Sequence, residues 1–309
     1  MARPLGDQRV VITGASSGIG RATALEFARQ GAWVVLAARN EEALRETARL
    51  CEEAGGRAHV VVTDVSEQAQ VERLVREALE WGGRIDTWIN NAAVSAYGMV
   101  EDLSLEEIER VIRVDLLGPI YGMKAVLPVM KRQEGGVIIN VASVVAECSV
   151  PLQAPYCAAK AGIRGFTEAL RMELEYEKSP VHVTLVLPAS INTPFFRHAR
   201  SRIGVEPSPL PPVYEPEVVA QAIVRSAENP VRHVYVGGVA KMMSALEHAM
   251  PALMDRYMVQ GGRAFRQQRS ERPDGGEDTL FEPRQGPESV RGDYPGPTRS
   301  RPSGATPSS

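Results

Sequence analysis

One stretch constrains this chain more than any other: a short β-branched run from Val10 to Ile12, then Thr13, Gly14, Gly18 and Gly20, then helical periodicity through Ala24, Leu25 and Ala28. Residues 9–39 therefore read strand, glycine turn, helix, glycine, strand. An apolar run without alternation suits a parallel strand buried on both faces. Glycines at the junction allow a sharp turn and let backbone amides approach a phosphate, while the new helix offers its positive end to the same group. The spacing is GxxxGxG rather than GxGxxG, so the strand–turn–helix–strand context points to a dinucleotide site more than the glycines do. The competing reading is a flexible loop that holds no ligand. Ser16 and Ser17 add hydroxyl donors at the same place.

The second strand, 33–38, ends in Ala38 and Arg39, where an acidic residue would otherwise grip a ribose diol. Space at Ala38 and a cation at Arg39 suit a 2′-phosphate, which favours NADP(H), with NAD(H) as the alternative. The other reading leaves Arg39 solvated or capping the next helix. After helix 41–55, strand 58–63 delivers Asp64 at its carboxyl end, either near an adenine amine or as a cap for helix 67–82. Strand 85–90 leads into NNAAVSA, 90–96, where Asn90 can pin neighbouring strand ends and small residues at 92 and 93 let a cofactor lie close.

The middle of the chain, 104–133, is mostly helical, and Ser104 with Glu107 reads as a capping box. Asp115 falls in an apolar stretch, where a carboxylate is costly unless it is paired or protonated. It can pair with Lys160, help hold a water, or reach solvent or local backbone. Strand 137–142 leads to Ser143, and helix 155–174 opens with Pro155 and sets Tyr156 and Lys160 on one face, one turn apart. A phenol beside an ammonium sits in a field that favours the phenolate. With the Ser143 hydroxyl, the trio suits polarising a carbonyl or deprotonating an alcohol. Taken alone, a YxxxK pair is an ordinary feature of helix surfaces. Strand 181–188 runs into 189–204, apolar and then basic, at the sheet edge where a substrate lid would sit. Phe195 and Phe196, with Val94, Tyr97, Val145 and Leu152, make a candidate apolar pocket. Arg197, His198, Arg200 and Arg202 are either a solvated face or an anchor for a substrate such as CoA.

Composition bounds the rest. A chain of 309 residues that is 44% hydrophobic can bury a large core, and a net charge of −3 with scattered basic residues makes no case for nucleic acid. Cys51, Cys148 and Cys157 form no metal or disulfide spacing, the histidines do not cluster, and no metal is expected. The opening residues lack an apolar signal core and no run has the length of a bilayer span, so a cytoplasmic protein is expected. Residues 240–262 are Met-rich and helical, suited to covering the pocket, to a subunit contact, or to lying on a membrane surface. From Arg263 to the end the chain is Gly, Pro, Ser and charge, which reads as a disordered tail.

TGASSGIG at 13–20, Asp64, NNAA at 90–93, Ser143, YCAAK at 156–160 and PASINTP at 188–194, in this order, resemble the short-chain dehydrogenase/reductase family over roughly residues 8–240. The resemblance implies a single α/β domain, a three-layer doubly wound parallel sheet of the Rossmann kind over residues 1–239, with the helical extension and tail appended. It implies cofactor contacts at Gly14, Ser16, Ser17, Gly18, Ile19, Gly20, Arg39, Asp64, Val65, Asn91, Ala92, Tyr156, Lys160, Pro188, Ile191 and Thr193. It makes Tyr156 the proton carrier, Lys160 the holder of the nicotinamide ribose and the residue that acidifies the phenol, and Ser143 the group that positions the carbonyl. The catalytic set is completed by Asp115, which stands where the family's helix asparagine would fall. Ala93 and Ala189 replace the glycines of NNAG and PG. The implied activity is NADP(H)-dependent interconversion of a small apolar ketone or aldehyde and an alcohol. The alternatives are reduction of a 3-oxoacyl thioester and a non-catalytic nucleotide-binding scaffold. A homodimer or homotetramer is implied as well.

Overall fold

A computed structural model of the chain describes residues 3–300 and 307–308; the tail expectation for 301–306 and 309 lies outside them. Among the described residues the main sheet has seven parallel strands: β1 (Arg9–Thr13), β2 (Trp33–Ala38), β3 (Arg57–Val62), β4 (Thr87–Asn90), β5 (Gly136–Val141), β6 (Val181–Pro188) and β7 (His233–Val236). Their order is β3-β2-β1-β4-β5-β6-β7, and the short strand Pro307–Ser308 pairs antiparallel outside β7. The order reverses between β1 and β4, which opens a crevice at the carboxyl ends of those two strands.

Alternation along the strands builds the two core layers. On one face Val11, Val35, Trp88 and Ile138 pack against α3 (Gln68–Gly82), α5 (Gly118–Arg132) and α6 (Ala154–Tyr176). On the other, Val10, Ile12, Leu36 and Ile139 pack against α1 (Gly18–Arg29), α2 (Glu41–Glu53) and α7 (Pro216–Glu228). The central strands β1, β4 and β5 thus bury both faces, whereas the edge strand β3 is only partly covered. The expected α/β three-layer fold is the observed one.

Local signals hold where side chains serve the backbone. Helix α4 (Leu105–Ile112) starts with both hydrogen bonds of the Ser104–Glu107 capping box, and Asn40 caps α2 through the Ala43 amide. Asn90 links strands as its donors and acceptors suggest: its Oδ1 accepts from Trp88 at 2.7 Å, and its Nδ2 donates to Asn140 Oδ1 at 2.8 Å. Asn140 in turn donates to Thr167 on α6 at 2.8 Å. These buried amides tie β4, β5 and α6 together immediately beneath the site.

The Met-rich extension is two helices, α8 (Gly238–Ala249) and α9 (Pro251–Val259), because Pro251 cannot continue the first. Met254 and Met258 point inward, while Met242, Leu253, Tyr257 and Val259 are exposed. A short helix, α10 (Arg263–Gln267), and a strand, Arg269–Pro273, follow. Beyond Pro273 the backbone up to residue 300 is irregular apart from the short strand Thr298–Arg299, in line with its composition. No helix among the described residues is long and apolar enough to cross a membrane, and no group of side chains among them could hold a metal ion.

Candidate active site

The glycine turn is held by close packing. Gly14 has φ +67°, and a Cβ on it would stand 2.7 Å from Ala92 Cα. At Gly20 a Cβ would stand 2.1 Å from the Gly14 carbonyl oxygen. Thr13 Oγ1 accepts from the Asn91 and Ala92 amides at 3.0 and 3.2 Å, and Asn91 Nδ2 donates to the Thr13 carbonyl at 3.0 Å. The turn and the end of β4 are thereby one unit. Ser16, Ser17, Gly18 and Ile19 face the crevice; Gly20 lies beneath it as a packing residue.

At the far end of the crevice, the Arg39 guanidinium donates to the backbone carbonyls of Thr279 and Phe281, and Asn40 Nδ2 donates to Arg284 and Gly286. The Gly18 amide donates to the Ser289 carbonyl at 3.0 Å. The tail therefore lies across the mouth and uses donors at the end where a dinucleotide phosphate is expected. Asp64 turns to local work: Oδ1 accepts from the Ser66 amide and hydroxyl, and Oδ2 pairs with Arg110 at 2.7 Å. Burial alone would raise its pKa, but the hydrogen bonds from Arg110 and Ser66 hold it below the usual carboxylate range. It does not cap α3, whose N-cap is Glu67 and has no side-chain cap, and it bonds the Ser66 turn and Arg110 instead, although Asp64 also faces the cavity.

Ser143 emerges from β5; its Oγ accepts from the Val145 amide at 3.3 Å and stands near enough to the Tyr156 phenol to favour its ionised form. Tyr156 and Lys160 share one face of α6, with the ammonium 5.3 Å from the phenol ring centre. Lys160 Nζ donates to the Val141 carbonyl at 3.4 Å and lies 3.3 Å from Asp115 Oδ2. Asp115 sits on a π-helical turn, Arg113–Leu117, between α4 and α5, and its Oδ1 accepts from the Val94 amide at 2.9 Å. Burial pushes Asp115 up to about 6 despite the neighbouring ammonium. The Tyr156 phenol is held well above its ordinary range by burial first and by the Asp115 charge second, against the Ser143 hydrogen bond. Burial first, and the Asp115 carboxylate after it, thus stand against the acidifying field expected from Lys160.

These groups open on one cavity of about 640 Å³, which runs from Arg39 and Asp64 past the glycine turn to Tyr156 and on to the methionines of α8 and α9. The other expected contacts, Val65, Asn91, Ala92, Pro188, Ile191 and Thr193, also line it, as do Val94, Val145, Phe195 and Phe196. The Phe195 ring lies 5.4 Å from that of Tyr156. Tyr97 and Leu152 do not reach the cavity: both are buried with Ala199 and Ile203 behind Phe196, so they support the wall rather than form it. That placement follows from a two-residue pairing of Ala96–Tyr97 with Arg200–Ser201, which draws the 189–204 loop over them. Sequence reasoning missed Val150, Gln153 and Leu210 as lining, whereas Met243, Met254 and Met258 line the cavity in keeping with the pocket-covering reading of their segment. Gln153, just ahead of α6, donates to Gln268 at 2.6 Å; only its position in the active stretch could have flagged it.

The basic cluster is spoken for. Arg197 pairs with Asp293 at 3.2 Å, His198 with Glu288 at 3.3 Å, and Arg202 with Glu107 at 2.6 Å. Arg200 faces both Glu107 and Asp278.

Residues 8–204 match the family model for short chain dehydrogenases, which spans well over half the chain. The chain belongs to the short-chain dehydrogenase family. Among curated members, the Bacillus subtilis (strain 168) protein named uncharacterized oxidoreductase YxnA is 42% identical over 273 residues, covering 88% of this chain and 76% of that one. The 17-beta-hydroxysteroid dehydrogenase 13 of Mus musculus is 33% identical, covering 78% and 77%. Among solved short-chain dehydrogenases, one from Burkholderia phymatum in complex with NAD superposes with TM-score 0.71 at 28% identity, covering 79% of this chain and 94% of that one. An alcohol dehydrogenase from Thermococcus sibiricus complexed with 5-hydroxy-NADP gives 0.65 at 28% identity, covering 74% and 94%.

Proposed function

We propose that this short-chain dehydrogenase is an NADP(H)-dependent oxidoreductase that interconverts a ketone or aldehyde and an alcohol on a small apolar substrate. The observation that carries the reading is Tyr156, with Ser143 at its hydroxyl, on the wall of one cavity that starts at a glycine cradle and ends among apolar side chains. The cradle fits a dinucleotide: Ser16, Ser17, Gly18 and Ile19 face the crevice, and no side chain caps the first turn of α1. Bound there, a nicotinamide dinucleotide supplies or accepts a hydride, and with it both electrons, at the substrate carbon.

The chain's own groups do the rest. Ser16, Ser17, Gly18 and Ile19 hold the phosphates, and Arg39 meets a 2′-phosphate, which is the reason to prefer NADP(H) to NAD(H). Lys160 holds the ribose; Pro188, Ile191 and Thr193 meet the carboxamide end. In reduction Tyr156 gives its proton to the carbonyl oxygen as the new C–H bond forms, and Ser143 donates a second hydrogen bond to that oxygen. The resulting tyrosinate recovers a proton from solvent. Oxidation reverses these steps, with Tyr156 taking the hydroxyl proton. The name carried by the murine relative makes steroid-sized carbonyls natural first candidates. Because each member of the basic cluster faces an acid, an anchor for CoA finds no comparable support. Pairing of copies through α5 and α6 is part of the proposal, supported by the exposed Met172 and Tyr176.

The test is a screen of the purified protein against apolar ketones, aldehydes, alcohols and 3-oxoacyl thioesters, each with NADP(H) and NAD(H). We expect turnover of free carbonyls with NADPH preferred at least about tenfold in kcat/KM. Cofactor binding with no turnover across the panel would sink the catalytic reading in favour of a scaffold.

A further inference from the structure

Asp115 places a carboxylate beside Lys160 and the proposed proton carrier Tyr156. Asp115 is fully buried, at 0% exposure, and Lys160 is at 2%. The π-helical turn pushes Asp115 inward, so that Oδ1 takes the Val94 amide and Oδ2 faces Lys160 Nζ at 3.3 Å. Oδ2 has no other polar partner. Besides the pair, the titratable groups around the phenol among the described residues are Cys157 on α6 and the buried Tyr97. From α6 come Lys160 and Tyr156; β5 contributes the neutral Val141 carbonyl, and the loop after β4 the neutral Val94 amide. Among the described residues no other cation forms an ion pair with Asp115.

An amide at this position would leave the ammonium uncompensated beside the phenol. A carboxylate of nearly the same shape brings the local sum close to zero. We propose that Asp115 is a positioning residue: it ties Lys160 down in a direct buried ion pair and cancels the cation that would otherwise favour the Tyr156 phenolate, so that the phenol stays protonated to higher pH, ready to donate to a carbonyl oxygen. Burial is the largest cause of the upward Tyr156 shift and Asp115 the largest charged one, a direction that agrees with that geometry. The inference rests on reading Tyr156 as the proton carrier. A unit charge within about 10 Å, at an effective dielectric of about 20, moves such an ionisation by about one unit, which sets the size of the effect.

The experiment compares wild type with Asp115→Asn, which keeps the shape and the acceptor for Val94, and with Asp115→Ser, which removes the charge by another route should the amide variant fold poorly. Two readouts are taken. The first is the pH dependence of kcat/KM for carbonyl reduction and alcohol oxidation. The second is near-ultraviolet phenolate absorbance with NADP+ bound, each protein referenced to its Tyr156→Phe counterpart. We expect the alkaline limb of reduction, the acid limb of oxidation and the phenolate signal all to move to lower pH by a unit or more in both variants, a tenfold or greater change in the ionisation constant. Profiles that superimpose on wild type, in a protein that turns over carbonyls, would overturn the proposal and leave the oxidoreductase reading standing. A shifted phenolate signal with no turnover in any protein would do the reverse.

Discussion

At the residue scale the site depends on how few groups carry its chemistry. Among the described residues two phenols line the cavity, Tyr156 and Tyr257, and the proposed proton carrier is Tyr156, which stands beside Ser143 and Lys160; the Tyr97 hydroxyl is sealed behind the wall without a partner. Tyr156→Phe removes the proton but not the ring packed on Phe195, so turnover should fall by about 10²–10⁴ with little loss of stability, as paired kinetics and thermal unfolding would reveal. Asp115 also leaves a mark on stability. Its folded pKa, pushed up to about 6, lies above the unfolded carboxylate value. Between the two values the native state binds more protons than the unfolded chain, so this group favours the fold at low pH and loses that contribution as pH rises through about 6. The stability of wild type minus that of Asp115→Asn should therefore fall by about 2 to 3 kcal/mol from pH 4 to pH 8, measured by denaturant unfolding. A difference that is flat or rises with pH would contradict the buried ionisation.

At the element scale the decisive join is between β1, its turn and α1. The turn cannot swing outward, because Thr13 and Asn91 bind it to the end of β4. It cannot widen either, because Gly20 sits on the Gly14 carbonyl. Gly20→Ala puts a methyl against backbone rather than against a yielding side chain. We expect a loss of about 1–3 kcal/mol in unfolding free energy together with weakened dinucleotide affinity, read by calorimetry. Unchanged affinity in the folded variant would mean that phosphate does not sit in the cradle. The π-helical turn at 113–117 is the other working element: one widened turn carries Asp115 in under Lys160.

At the scale of the whole molecule, the tail and the crevice compete for the same donors. Gly18, Arg39 and Asn40 are bonded to carbonyls of residues 279–289, and Leu280 is fully buried among them. A dinucleotide that uses the Gly18 amide and Arg39 has to displace that segment. Limited proteolysis should therefore cut within 274–293 faster when NADP(H) is present than when it is absent. Equal or slower cutting would show that the two do not exclude each other.

What the amino-acid order determined by itself is whatever depends on neighbours in the chain. Unbroken β-branched runs dictated buried parallel strands, glycines between strand and helix dictated the cradle, and the four-residue spacing of Tyr156 and Lys160 dictated a shared helix face. What only the tertiary structure decided depends on distance across the fold. Asp115 was legible as a costly acid with Lys160 as one candidate partner, but the choice among its readings was not, because the contact spans 45 residues and a widened turn. Tyr97 and Leu152 have the composition of pocket walls and lost that place to Phe196 when the following loop paired over them. Arg39 was legible as a cation near a phosphate site, and the tail carbonyls that it holds were not. Local pattern reports which groups face inward, whereas charge balance and access are properties of everything that packs around them.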